Sequence, residues 1–410
     1  MTDVRASPTQ SAYDEGVLID LRRPTTETDR SVAFFRLGFR PFFLLGGAFA
    51  ALAIPLWLLV WGGRVTLPTT ALPASWHAHE MVFGFVVAIV AGFLLTAVRN
   101  WTSRPTPTGP SLAGLAALWA AARLFVAFDG TIPHGLVAAV DCAFLPALAL
   151  AIARPIVASK NWRNLAFVPL LLSLFAANVA YHFGSGTVAV RAPRIAIDVI
   201  LVIVVVIGGR VIPSFTANGL RIEVPSRKLL DRAALVSMGA VALLGAVFDG
   251  SWALAIASIV AGVLHGARLL GWRSWATRRS PILWVLHVGY AWIAIGLVLR
   301  GVATFVPSLP ASAPTHALTV GAIGTLILGM MSRVSLGHTG RMLTVARPIT
   351  FAYALVALAA LVRAGGPIVV PNGYVWVLVV AGALWTMAFG TFVAVYFPVL
   401  VSPRVDGKPG

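Results

Sequence analysis

The sequence predicts an all-α polytopic membrane helix bundle of about twelve transmembrane helices, with both termini cytoplasmic. Three observations carry this. Hydrophobic residues make up 59% of the 410 positions and charged residues only 11%, far more apolar than a single soluble core requires. The apolar residues fall in continuous runs of about 17–25, the length that crosses a bilayer as a helix; barrel strands would be shorter and alternating. Lys and Arg sit in the short gaps between runs, dense in one gap and sparse in the next.

In order, the runs cover residues 41–61, 76–98, 111–128, 134–153, 162–183, 191–212, 229–248, 252–271, 281–304, 314–335, 346–364 and 373–400. Pro-, Gly- and Arg-rich gaps such as Arg104-Pro105-Thr106-Pro107 separate them. Counting segment ends, 25 of the 31 basic residues lie in the N-terminal tail, in the gaps after the even-numbered segments and at the C-terminus. The opposite gaps hold Arg64, Arg191, Arg194, Arg300 and Arg363, and Arg123 lies within a segment. The alternation holds throughout, which places both termini inside. Residues 1–33 are polar and lack the apolar stretch of a signal peptide, so they read as an uncleaved, disordered cytoplasmic tail. Residues 34–402 read as one membrane domain and 403–410 as a C-terminal cytoplasmic tail.

Composition also narrows function. The net charge of +17 would suit nucleic acid if clustered, but its placement follows membrane topology, so no nucleic-acid partner is expected. The single cysteine, Cys142, excludes an intramolecular disulfide framework, a Cys-rich zinc site and a cysteine-ligated iron–sulfur cluster. No P-loop, dinucleotide fingerprint or nucleophile elbow is present; Gly208-Gly209-Arg210 follows no soluble strand.

The most informative feature is the pentad Trp76-His77-Ala78-His79-Glu80 at the mouth of the second segment. Ionisable groups at membrane depth face a bundle interior or aqueous cavity and mark functional sites by default. Topology sorts the histidines into two layers: His77, His79, His134, His182 and His316 at outer ends, His265 and His287 toward the inner side, and His338 in the cytoplasmic gap after segment ten. On a regular helix His77 and His79 point about 200° apart, so they share one metal only if the helix starts late. His77 and Glu80, three apart, fall on one face. Imidazole ligates haem iron and copper without any cysteine, and Glu80 is placed to orient a ligand imidazole or donate a proton. Arg123 and Asp141 read as a structural ion pair. Asp198, at similar outer depth, is either a proton-relay carboxylate or a helix–helix hydrogen-bonding group. Segments two, six and ten end alike, at Ala97-Val98-Arg99-Asn100, Gly209-Arg210-Val211-Ile212 and Ser332-Arg333-Val334-Ser335, which hints at three four-helix units.

These motifs, taken in order, resemble a known family. The matching stretches are Phe35-Arg36-Leu37-Gly38-Phe39-Arg40-Pro41-Phe42-Phe43, the pentad with Met81 and on to Gly92-Phe93-Leu94-Leu95-Thr96-Ala97, Asn100-Trp101-Thr102, Gly209 to Thr216, His287-Val288-Gly289-Tyr290-Ala291-Trp292, His316 to Gly321, and Ser335 to Arg341. Together they resemble the NnrS family, bacterial multi-pass membrane proteins of the nitric-oxide response that contain haem and copper. The resemblance implies residence in the bacterial inner membrane, haem of type b, copper, nitric oxide as a small-molecule ligand, and protection against nitrosative stress such as denitrification brings. It implies His77, His79, His287, His316 and His338 as cofactor-binding residues and, less distinctively, His182 beside His77, His79 and His316 as metal ligands; Glu80 and Asp198 are relay or supporting groups by their position alone. The alternative is a proton-coupled secondary transporter without metal, with Asp141, Asp198 and Glu80 as coupling carboxylates.

Overall fold

A computed structural model describes residues 33–408. Of the tail expected over residues 1–33, all but Ala33 lies outside the described residues, as do the last two residues of the C-terminal tail. Among the described residues twelve helices are long and apolar enough to cross a membrane: α1 (Phe39–Trp61), α2 (Pro73–Thr102), α3 (Gly109–Ala127), α4 (His134–Ala158), α5 (Trp162–Phe183), α6 (Thr187–Leu220), α7 (Lys228–Val247), α8 (Trp252–Leu270), α9 (Pro281–Phe305), α10 (Ser312–His338), α11 (Arg347–Val369) and α12 (Pro371–Val401). No strand occurs among them. The protein is an all-α multi-pass membrane bundle.

Each apolar run became one helix. The largest difference is α6, expected over 191–212 and observed as Thr187–Leu220. Hydropathy marks the slab of bilayer, whereas a helix continues until its backbone is stopped. Here the stop is Arg221, in the left-handed region at φ 54°. His338, expected in the gap after segment ten, is instead the last residue of α10. Several starts follow local chemistry: Pro73 opens α2 and Pro281 opens α9, where a missing N–H costs nothing, and Ser251 Oγ caps α8 by accepting from Leu254 N at 3.2 Å.

α2 and α10 occupy the centre. Of their most apolar stretches, 83% and 78% of residues are buried within the protein, against 22% for α7. Both also share a rare backbone feature. A π-helical stretch, Glu80–Val86 in α2 and Ala317–Gly324 in α10, begins directly after a histidine, His79 or His316. Such wide turns concentrate at functional sites. The sixth helix shows no such stretch.

Close packing rests on small residues, as expected inside a bilayer, where apolar burial gives no preference between helix and lipid. A Cβ on Gly301 of α9 would stand 2.4 Å from the Ala255 carbonyl oxygen of α8, and one on Gly262 of α8 would stand 2.8 Å from the Ala294 carbonyl oxygen. At the opposite end of the sequence, buried Arg40 donates from Nη1 to the carbonyls of Leu400 at 2.9 Å and Ser402 at 2.6 Å. It thereby ties the start of α1 to the free carbonyls ending α12.

Gly301→Val should force α8 and α9 apart, since the obstructing atom is backbone. The expected cost is about 1–3 kcal/mol, measured as a lower melting temperature of the detergent-solubilised protein. Gly114→Val, with open space around its Cβ, should melt like the parent.

Candidate haem cavity and metal centre

The first four residues of the pentad lie on regular helix, Pro73 to His79, and Glu80 opens the π-helical stretch. His77 and His79 therefore point to different sides of α2, and each enters a separate site.

His77 faces a cavity of about 360 Å³ enclosed by α1, α2, α6 and α10 to α12. Its ring stacks on Trp57, with centroids 4.3 Å apart. His316, Arg363 and Tyr374 line the same cavity, whose remaining wall is mostly apolar. His316 Nδ1 donates to the Ser312 carbonyl at 2.7 Å, which fixes the tautomer and leaves Nε2 with its lone pair. This is the arrangement that prepares an imidazole for metal. Arg363 Nη2 donates to the Tyr374 hydroxyl at 3.2 Å, while Arg363 Nη1 is buried with no hydrogen-bond partner. An unpartnered guanidinium nitrogen inside a membrane protein calls for an anion.

His79 faces the other way, into a site formed by α2 to α5. Its Nδ1 lies 2.9 Å from Glu80 Oε1, and its Nε2 lies 3.1 Å from Asp141 Oδ2 and 3.0 Å from Asn178 Oδ1. His182 Nε2 is 2.9 Å from the same Asp141 Oδ2, and Asn178 Nδ2 donates to it at 2.8 Å. Arg123 spans the two carboxylates, from Nη1 to Glu80 Oε1 at 2.5 Å and from Nη2 to Asp141 Oδ1. Tyr181 covers the His79 ring at 4.3 Å between centroids. His79, Glu80, Asp141 and Asn178 are all buried to within 2% exposure, so their charges must balance locally. Two carboxylates against one guanidinium leave a negative charge over. A proton on His79, His182 or Glu80, or a bound cation, supplies the balance. His79, Asp141 and His182 each offer one donor atom, all within 4.8 Å of one another. Ligands about 2.0 Å from one ion lie about 2.8–3.3 Å apart in right-angled to tetrahedral geometry, which matches the two distances to Asp141 Oδ2. Glu80 Oε2 is buried without a partner.

The α-helical spacing that puts Glu80 on the face of His77 does not describe the result. Glu80 opens the π-helical stretch, and its carboxylate joins His79 instead. The Arg123–Asp141 ion pair forms as expected, enlarged by Glu80 and the histidines. Asp198 stands apart from Asn178 and His182: its Oδ1 accepts from Arg300 Nη1 at 2.6 Å.

The sequence matches the NnrS family (NnrS protein) over residues 33–404. The chain belongs to the NnrS family. A comparison with curated proteins found no match.

The stretches resembling the NnrS family meet in space in two ways. The pentad and His316 to Gly321 come together around the outer cavity. His287 instead meets the Gly209 to Thr216 stretch. Its Nε2 lies 2.8 Å from Thr216 Oγ1 and its Nδ1 2.9 Å from Ser274 Oγ. Thr216 spends its hydroxyl proton on the Ile212 carbonyl, so His287 donates from Nε2 and both ring nitrogens are taken. His338 packs its ring 5.8 Å from Phe39, and its carbonyl accepts from Arg404 Nη1 at 3.0 Å. Neither His287 nor His338 lines the outer cavity or the His79 site. His265 bonds the Tyr290 hydroxyl at 2.8 Å, and His134 donates to the His182 carbonyl at 3.0 Å.

Sequence reasoning missed the far wall of the cavity. Arg363 is read from sequence as one of the few basic residues of an outer gap, yet it is only 8% exposed. Its signal was there: an arginine followed by six more residues of helix sits too deep for a loop charge. Trp57, mid-run in an apolar segment, carries no such signal.

Arg123→Leu should remove the one fixed positive charge between Glu80 and Asp141. The expected cost is about 3–5 kcal/mol, seen as a lower melting temperature in detergent. Adding Asp141→Asn should recover part of it. A double variant no more stable than Arg123→Leu would show the charges to be uncoupled.

Proposed function

We propose that this NnrS-family protein is a haem- and copper-containing membrane protein that protects against nitric oxide and nitrosative stress. Haem would occupy the cavity of His77 and His316, and copper the site of His79, His182 and Asp141. The observation that carries the reading is the cavity itself. Two imidazoles face one space of about 360 Å³, within the usual range for ligand pockets, beside the buried, unpartnered Nη1 of Arg363. That donor set suits a flat apolar group carrying a carboxylate and needing nitrogen ligands, as haem does. His316 Nε2 and His77 would hold the iron, and Arg363 would pair with a propionate. Trp57 holds the His77 ring in place through stacking, and the apolar walls exclude water. A haem iron there would supply a position for nitric oxide when one of the two imidazoles gives way and the other holds the iron.

On the opposite side of α2, the mixed nitrogen and carboxylate set of His79, His182 and Asp141 suits a divalent transition ion such as copper. Glu80 would hold His79 Nδ1–H, so that Nε2 faces the metal. The buried Oε2 of Glu80 is available to receive a proton. Nitric oxide as ligand, the bacterial inner membrane as location and cytoplasmic termini complete the proposal; the distribution of Lys and Arg supports the last of these.

One observation favours the alternative of a proton-coupled transporter. Both nitrogens of His79 already face acceptors, so a protonated His79 closes the network without any ion. The two readings separate on metal content. Haem-supplemented, detergent-purified protein is expected to show a Soret band and to contain copper by elemental analysis. His77→Ala and His316→Ala should lose or shift the Soret band while keeping copper. His182→Ala and Asp141→Asn should do the reverse, and His134→Ala should change neither. Protein with no Soret band and no copper would sink the first reading in favour of transport. Anaerobic nitric-oxide consumption by metal-replete protein then tests turnover.

A further inference from the structure

A second, smaller chamber lies directly inward of the histidine cavity, between α1, α2, α6 and α10, which border both, and α9. It measures about 80 Å³. The helical register places it. Val86, Ile200 and Ile323 line the outer cavity, and Val90, Ile203 and Ile327 line the chamber. Each is three or four residues further along α2, α6 or α10, about one turn or 5 Å deeper. The wall between the two spaces is thus one turn of branched aliphatic side chains.

The lining differs in kind from that of the outer cavity. Every side chain around the chamber is hydrocarbon, aromatic or thioether, and the one remaining position is Gly208. The helices satisfy their own backbone groups, so nothing there can hold a water molecule, which needs two to four polar partners. A space of this kind stays dry and takes up small apolar species. At its rim Val204, Ile207 and Val211 of α6 are half-buried, on a span whose outer surface meets lipid tails. The chamber therefore lies between the bilayer interior and the histidine cavity.

We propose that this chamber is a binding and access site for an uncharged, diatomic-sized apolar molecule that reaches the outer cavity from the lipid. Such a molecule concentrates in hydrocarbon, makes no strong hydrogen bond and loses nothing by leaving water. Rotamer motion of the branched aliphatic side chains opens a wall one turn thick to a species of that size, and keeps larger or charged species out. Delivery to a haem rests on the function proposed above; occupancy of the chamber does not.

Two variants narrow the chamber. Val204→Phe crowds the rim. Gly208→Ala adds a Cβ whose nearest neighbours, Ile212 and the Tyr290 ring, are 3.5 and 3.6 Å away, ordinary contact that leaves the fold intact. The probe is xenon, applied under pressure to the full chain in lipid nanodiscs and followed by ¹²⁹Xe NMR. Wild-type protein should show a saturable shift that both variants weaken. No saturable shift in the wild type, or a shift unchanged in both variants, overturns the chamber. In haem-loaded protein, carbon monoxide recombination after flash photolysis should be severalfold slower in Val204→Phe with an unaltered Soret band. An unchanged rate in a variant that has lost xenon overturns the access role. Absence of a Soret band would instead count against the haem reading, and the xenon result would still decide the chamber.

Discussion

The structure depends on one constraint: α2 has almost no face left for lipid. A helix surrounded by protein must place every side chain at its outer end against a neighbour. His77 and His79, about 200° apart on regular helix, are therefore forced into two different environments. One looks into the cavity shared with α10 to α12, the other into the charged cluster of α3 to α5. α10 is nearly as enclosed and contributes His316 from the matching position, just ahead of its own π-helical stretch. The two central helices supply the cavity's imidazoles, and the peripheral helices supply Trp57, Arg363 and Tyr374.

Charge inside the bilayer follows the same logic. Arg123 is held between Glu80 and Asp141, Asp198 is paired with Arg300, and Arg40 is spent on the carbonyls that end α12. Each partner comes from another helix, because only neighbouring helices offer polar groups where there is no water. Among the buried atoms without a hydrogen-bond partner, Arg363 Nη1 and Glu80 Oε2 each lie beside one of the two histidine sites. Leaving such atoms unpaired is costly, so both point to a ligand or proton that completes the site.

Much of this was legible beforehand. The twelve runs, the placing of His77, His79, His182 and His316 at one end of the bundle, the opposed directions of His77 and His79, and the Arg123–Asp141 pair all follow from hydropathy, charge spacing and the 3.6-residue turn. The partner of Glu80 was not legible, because the Arg123 guanidinium that holds its carboxylate beside His79 comes from another helix. Nor was the place of His287: its depth suggested a ligand, but Thr216 and Ser274, on other parts of the chain, already take both of its nitrogens.

The sequence by itself determined that the chain is a helical membrane bundle and where its costly residues lie, since both follow from one-dimensional patterns of hydropathy and charge. Only the tertiary structure decided which costly residues meet. His77 finds His316 across 239 positions of sequence and Arg363 across 286. His79 finds Asp141 and His182 on helices that do not border that cavity. Partner choice is set by how helices pack, and packing in a bilayer turns on close contacts between small residues that leave no periodic trace in the chain.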